Sequence, residues 1–125
     1  MLPTFLVEET TVRESGESMV FDASECLHEN LLLTFGITHA VEQESIEVII
    51  RGSQDGILWT AKPLVSFAPK FYCGTYQLIL PRCEAHYLKV SWKLSRWSRD
   101  GHRPFFSFYL FAQPARAHIA VAGAA

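Results

Sequence analysis

Alternation of apolar residues with others between Tyr87 and Leu94 is the feature that most constrains the fold. The apolar positions are Leu88, Val90, Trp92 and Leu94, and the intervening ones are Tyr87, Lys89, Ser91 and Lys93. A helix would scatter the first set around its axis, whereas a strand places it on one face. The β-branched and aromatic content of residues 87–94 also favours a strand, and residues 44–52 alternate in the same way. The sequence therefore predicts a β-sheet protein.

Six further segments have strand character and are separated by residues typical of turns. With 44–52 and 86–96 they give about eight strands at a spacing that favours a sandwich. We expect an all-β fold, a single antiparallel β-sandwich of jelly-roll type with little or no helix. Residues Ala23–Asn30 could form one short helical turn with Ser24 as its N-cap. The six segments are Thr4–Glu8, Ser18–Asp22, Asn30–His39, Ile57–Lys62, Tyr72–Leu80 and Pro104–Ala112.

A chain of 125 residues suits one hydrophobic core. We assign residues 1–112 to the sandwich and 113–125 to a C-terminal tail, with Pro114 ending the last strand. The tail is small and rich in alanine, and a neighbouring subunit is one structure that could order it. The prediction is a single domain with an appended tail.

Charge is distributed unevenly along the chain. Residues 1–47 contain ten acidic residues and one basic residue, whereas residues 48–125 contain ten basic and three acidic ones. If the two ends of the chain pair in one sheet, these charges complement each other within the molecule. Otherwise they give it two faces that attract between copies.

The N-terminal residues do not resemble a secretory signal, because Glu8 and Glu9 interrupt the apolar stretch. No apolar run approaches the ~20 residues needed to span a bilayer. We therefore expect a cytoplasmic protein with no membrane partner, or one released without a signal. Three cysteines form an odd set that does not indicate a disulfide framework, although whether Cys73 and Cys83 pair stays open.

Histidine and cysteine spacing gives no recognised zinc motif. A composite site would need Cys26, His28, Cys83 and His86 to converge through folding. The sequence also lacks the common motifs of nucleophilic hydrolases, zinc proteases and nucleotide-binding enzymes. We therefore expect a protein that is not an enzyme and has no cofactor and no metal.

Basic and aromatic residues are interleaved over residues 86–104. Lys89 and Lys93 share a predicted strand face, whereas Trp92 points to the opposite, buried face, so the pattern favours a solvated sheet over a nucleic-acid site.

The final strand carries aromatic residues on both faces between Phe105 and Phe111. Burial on both faces, partly between subunits, is one explanation, and an exposed ligand platform is the other.

The stretch "RGSQDGILWT", residues 51–60, contains a turn with identifiable chemistry. Gly56 accepts a positive φ, Asp55-Gly56 reverses the chain, and Ser53 can bond to the turn backbone. We expect Trp59 to lie in the following strand and cap the core.

Four segments together, "IEVIIRGSQDGILWT", "GTYQLIL", "AHYLKVSWKLSR" and "FFSFYLFA", resemble discoidin-type, galactose-binding-like β-sandwich domains over about residues 45–112. The shared features are a Ser-x-Asp-Gly-x-x-Trp turn and a later core strand. The same succession is similar to jelly-roll modules of phage-type virion accessory proteins. The first resemblance implies binding of sugars or lipid head groups through end loops, and the second implies assembly through protein contacts.

The principal functional hypothesis is a non-catalytic binding module of unknown ligand, with carbohydrate as one candidate, acting through Trp59, Trp97, Arg99 and His102. The alternative is a structural subunit of a homo-oligomeric particle that makes protein contacts through residues 105–125. A weaker alternative is a cupin-like metalloenzyme with at least three converging ligands. The expected partners are further copies of the chain, with a carbohydrate or another protein as candidates, and no nucleic acid.

Overall fold

A computed structural model describes residues 3–40, 44–96 and 105–115, in which the secondary structure is almost entirely β. The strands are β1 (Thr4–Val12), β2 (Gly16–Glu17), β3 (Phe21–Asp22), β4 (Leu31–Ala40), β5 (Glu44–Ser53), β6 (Val65–Lys70), β7 (Gly74–Leu80), β8 (Tyr87–Arg96) and β9 (Phe106–Pro114). A 3₁₀ turn spans Ser24–Cys26. Within the described ranges the structure contains no helix long and apolar enough to cross a membrane.

The strands form two antiparallel sheets that pack as a sandwich. One sheet has the order β1-β9-β4-β7. In the other, β8 pairs with β5 on one side and with the short strands β2 and β3 on the other, and β6 lies beyond β5. The first and last strands are neighbours, so the two ends of the described chain meet in one sheet. The predicted all-β sandwich is confirmed.

Aromatic rings from both sheets form the centre of the core. The Phe35 ring lies 5.2 Å from that of Phe67 and 5.8 Å from that of Phe108, both in edge-to-face geometry. Trp92 packs on Phe108 at 5.4 Å, and its indole N–H donates to the carbonyl of Glu14. Aromatic pairs of this geometry add stability beyond the apolar area that they bury. The prediction that Trp92 faces the core is confirmed.

Opposite charges from the two halves of the chain meet across β8. Lys89 Nζ lies 3.5 Å from Glu17 Oε2 on β2. On the other side of β8, Lys93 is the register partner of Glu47 on β5. Opposite charges on neighbouring strands stabilise the pairing, and like charges would weaken it. Two pairs of opposite charge thus lie across β8, whereas the register also places Arg51 of β5 opposite Lys89, so the charges of this sheet are complementary only in part.

The strand predicted at Ile57–Lys62 is wrong, and β6 lies further along the chain at Val65–Lys70. Backbone N–H groups of Ile57 and Leu58 donate to the Asp55 side chain, so they do not join a ladder between strands. Local side-chain bonds of this kind compete with sheet formation. Pro69 is tolerated in β6 because that strand is at an edge.

Several other boundaries differ from those predicted. The segment Ser18–Asp22 forms no continuous strand: Ser18 accepts the N–H of Val90 through its hydroxyl, which interrupts the edge between β2 and β3. The helical turn begins after Ala23 without a side-chain cap, so the assignment of Ser24 as N-cap is wrong. β1 reaches Val12 rather than Glu8.

The C-terminal end also differs. β9 runs to Pro114, two residues beyond the predicted Ala112. The N–H of Ala115 donates to the carbonyl of Asn30, which fixes the end of the strand beside the start of β4. The rest of the predicted tail, residues 116–125, lies outside the described ranges.

Removal of the central ring tests the description of the core. We expect Phe35→Ala to reduce the free energy of unfolding by about 3–5 kcal/mol, because it leaves a cavity beside its aromatic partners Phe67, Phe108 and Tyr76. Urea denaturation followed by tryptophan fluorescence measures this loss. Tyr72→Ala is the matched control, since Tyr72 is 75% exposed, and it should change stability by no more than about 0.5 kcal/mol. Equal effects of the two substitutions would contradict the assignment of Phe35 to the core.

Candidate functional site

Trp59 is the one predicted ligand-binding residue in the described part of the chain; Trp97, Arg99 and His102 lie outside it. Trp59 lies in the connection from β5 to β6 and is half-buried. Lys89 Nζ lies 4.5 Å from the centroid of its ring. Lys89 alternates with core residues of β8, so this contact is on the outer face of the five-stranded sheet. The prediction that Trp59 lies in a strand and caps the core is wrong.

The turn before Trp59 is a closed network of hydrogen bonds. Ser53 Oγ accepts the N–H groups of Asp55 and Gly56 and donates to Asp55 Oδ1 at 3.0 Å. The same carboxylate oxygen accepts the N–H groups of Ile57 and Leu58 at 2.8 and 2.9 Å. Gly56 has φ +79°, as a reversal at this position requires. The predicted turn at Asp55-Gly56, with Ser53 bonded to its backbone, is confirmed.

The turn makes stability depend on pH. Hydrogen bonds from the backbone of Leu58 and Ile57, with a further one from Ser53, lower the pKa of Asp55 from its ordinary value of 3.8. A carboxyl with a depressed pKa in the folded state contributes stability above its ordinary pKa. That contribution is lost as the pH falls through the folded-state value.

We expect Asp55→Asn to reduce the loss of stability between about pH 7 and about pH 3, because the variant has no carboxyl to protonate at this turn. Urea midpoints at the two pH values measure the loss. Asp55→Ala should lower the midpoint at neutral pH more than Asp55→Asn, which keeps an acceptor oxygen. If the urea midpoint falls by the same amount between the two pH values in Asp55→Asn and in the unmodified chain, this role of Asp55 is contradicted.

A cavity of about 600 Å³ opens at the same end of the sandwich, between this turn and the segment from β7 to β8. Its apolar lining includes Leu58, Leu64, Leu80 and Ala85. Polar groups at its rim bond to one another: Gln54 Nε2 donates to the carbonyl of Glu84, and Arg82 pairs with the Glu84 carboxylate at 3.5 Å. The Gln54 bond joins the two segments, whereas the Arg82–Glu84 pair lies within the segment from β7 to β8.

The segments carrying the proposed composite metal site do meet. The N–H of His28 donates to the carbonyl of Cys83, and the N–H of Ala23 to that of His86. Burial raises the pKa values of the Cys26 and Cys83 thiols, which disfavours thiolate. All three cysteines of the chain are free. Among the described residues, no group of three or more His, Cys, Asp or Glu is placed to hold a metal ion.

A second cavity, of about 510 Å³, is a groove on the outer face of the four-stranded sheet. We call it the aromatic groove. Its lining combines aromatic rings with polar side chains. The rings belong to Phe5, Tyr109 and Phe111, and the polar side chains to Glu9, Thr34, Gln77 and Gln113. Strand alternation places them here: Phe108 and Leu110 point into the core, so Tyr109 and Phe111 point outward. The outward aromatic residues of β9 are thus half-buried in a groove.

The position of the Tyr109 ring depends on Gly36. The two residues are register partners in the pairing of β9 with β4. A Cβ at Gly36 would lie 2.2 Å from Tyr109 Cζ, so the ring occupies the space of a side chain that glycine lacks. Phe5 stands edge-on to this ring at 5.9 Å and to the Phe111 ring at 4.9 Å. The result is an aromatic floor in which Phe5 remains 47% exposed.

Polar groups border this floor. Gln77 Nε2 donates to Thr34 Oγ1 at 3.2 Å, which orients the amide and leaves its oxygen as an acceptor. Gln113 lies further along β9 and provides a second amide, and Glu9 provides one carboxylate. Among the described residues that line the groove, none is basic. The groove thus offers ring faces together with neutral donors and acceptors, a combination suited to binding a small polar ligand.

The sequence contained part of the signal for this groove. The alternation of "FFSFYLFA" places Tyr109 and Phe111 on one face, which is why an exposed ligand platform was one alternative. Phe5, Gln77 and Thr34 could not be assigned to it, because their proximity depends on the strand order β1-β9-β4-β7.

Comparison with known proteins does not identify a relative. No protein-family model matches the sequence, and no curated protein matches it. Function is therefore argued from the geometry of the groove.

A double-mutant cycle tests the contact between Gly36 and Tyr109. We expect Gly36→Ala to cost about 1–3 kcal/mol in the unmodified chain, because the added methyl group displaces the ring. In a Tyr109→Ala background the same substitution should cost less, since the closest atoms are gone. Urea denaturation of the four proteins measures the coupling. Equal costs in the two backgrounds would show that the ring does not occupy this position.

Proposed function

We propose that this protein is a non-catalytic carbohydrate-binding β-sandwich that takes a neutral oligosaccharide in the aromatic groove. The observation that carries the proposal is the Tyr109 ring held over Gly36 beside the exposed Phe5, with Gln77 oriented at the rim. A sugar ring has an apolar face of C–H groups and a periphery of hydroxyls. The first matches an aromatic floor, and the second matches amides that both donate and accept.

Charge in the groove supports a neutral ligand. Of the described residues in the lining, Glu9 is the one that carries a carboxylate, and none is a lysine or an arginine. An acidic sugar or a phosphate would meet this carboxylate without a compensating cation. The lining therefore favours neutral sugars over uronic acids, sialic acids and phosphorylated ligands.

Binding without chemistry is supported by the reactive groups described above. The Asp55 carboxylate is engaged by the turn backbone, and the two buried thiols are disfavoured as thiolates. None of these groups lines the aromatic groove. We accordingly include in the proposal that no cofactor takes part.

Kinship with discoidin-type, galactose-binding-like domains is part of the proposal. It is supported by the sandwich architecture and by the Ser53–Gly56 corner, which matches the turn of that family. The resemblance implies ligand binding by end loops, whereas the groove proposed here lies on a sheet face. The corner is therefore assigned to the fold and the binding to the sheet.

Calorimetric titration with neutral oligosaccharides tests the proposal. The probes are cello-, xylo-, manno- and chito-oligosaccharides, with oligogalacturonate as the acidic comparison. We expect at least one neutral probe to bind and the acidic one to bind more weakly. Phe5→Ala and Gln77→Ala should each weaken binding by about tenfold, because each removes a contact surface or an oriented amide.

Trp59→Ala is the matched control, because it removes an aromatic ring from the opposite sheet. It should leave the affinity unchanged. Failure of all four neutral probes to bind would overturn the proposal. So would binding that is lost in Trp59→Ala and retained in Phe5→Ala and Gln77→Ala.

A further inference from the structure

Strand β7 forms an edge of the four-stranded sheet that is open to pairing. Among the described residues it pairs with β4 alone, through seven consecutive register positions from Gly74 to Leu80 without a bulge. Its sequence, "GTYQLIL", contains neither a charged residue nor a proline. An edge strand of this kind presents unpaired backbone groups that can accept another strand.

The other three edges carry features that prevent strand addition. β1 has two register shifts and contains Glu8 and Glu9. β6 has a register shift and contains Pro69. The edge beside β8 is divided into β2 and β3, each of two residues. Bulges, charges, prolines and short strands are the means by which natural sheets protect their edges. The strand β7 itself contains none of them; a neighbouring charge is that of Lys70 of β6, whose Nζ lies 4.5 Å from the centroid of the Tyr76 ring.

We propose that β7 is the docking edge for a second copy of this chain, whose own β7 adds in antiparallel orientation about a two-fold axis at Gln77. This register is the one that pairs all seven residues of both strands. It makes the interface isologous, with the same surface on both copies, as in most homodimers.

The residues of β7 complement themselves in this register. Tyr76 of one copy lies opposite Leu78 of the other, so aromatic and aliphatic side chains pair on the inner face. On the outer face Thr75 lies opposite Ile79, which is 41% exposed in the single chain. Gln77 lies opposite its own copy, and two amides can bond to each other. Cross-strand pairs of these types stabilise antiparallel strands, and no like charges oppose each other.

Dimerisation would join the two four-stranded sheets into one of eight strands. Gln77 lines the aromatic groove and lies at the proposed axis, so the two grooves would open on the same face on either side of it. An oligosaccharide long enough to reach both grooves would bind more tightly than one that reaches a single groove, because the second contact is intramolecular. The docking itself does not rest on the proposed function, since it requires no ligand.

Sedimentation of the full chain without ligand tests the dimer, with charge placed at Thr75 and Ile79, which lie outside the aromatic groove. The unmodified chain should reach twice its mass of 14.2 kDa as concentration rises. Thr75→Lys with Ile79→Lys places like charges opposite each other twice, and should raise the dissociation constant by about tenfold or more. Thr75→Lys with Ile79→Glu places opposite charges there and should restore the dimer. Circular dichroism establishes that both double variants are folded.

A chain that stays monomeric at all concentrations would overturn the proposal, whatever the outcome of the sugar titration. Equal dissociation constants for the two folded double variants would also overturn it. Removal of residues 116–125 tests whether the C-terminal tail, rather than β7, holds the dimer together. A dimer that persists without them supports pairing through β7, whereas one that dissociates on their removal and ignores the charges at β7 assigns the contact to the tail.

Discussion

The register between β4 and β9 is the constraint on which the rest of the structure depends. It places Phe35 beside Leu110 on the inner face and Gly36 beside Tyr109 on the outer face. Since successive side chains of a strand point to opposite faces, a slip of one residue would move the core side chains outward and the groove side chains inward. One pairing therefore determines both the aromatic core and the floor of the aromatic groove.

Both surfaces proposed to be functional follow from the position of β4 in its sheet. On one side β4 holds β9, whose outward residues form the groove with Phe5 of β1. On the other side it holds β7, whose far edge is unpaired among the described residues. Gln77 belongs to both surfaces, because its amide faces Thr34 in the groove and its strand forms the open edge. Gln77→Ala therefore changes both surfaces. Phe5→Ala tests ligand binding alone, and the charges at Thr75 and Ile79 test self-association alone.

Much of the fold is predictable because burial imposes a period of two on strands that have one face in the core. The inward positions of β5 and β8 follow directly from it. The prediction from this period fails at Ile57, because the Asp55 side chain accepts hydrogen bonds from backbone N–H groups that a strand would use for pairing. The groove was predictable only as the outward aromatic residues of β9. Gln77 and Phe5 reach it through strand order, which local alternation does not encode.

Mapping of backbone and side-chain N–H signals by nuclear magnetic resonance, during titration with the mixed neutral oligosaccharides, tests the central claim most directly. We expect shifts of the side-chain amides of Gln77 and Gln113 and of the backbone N–H of Tyr109 and Phe111, with the indole N–H of Trp59 unmoved. Shifts confined to Trp59 and the residues of the end cavity would contradict it and place binding at the loops.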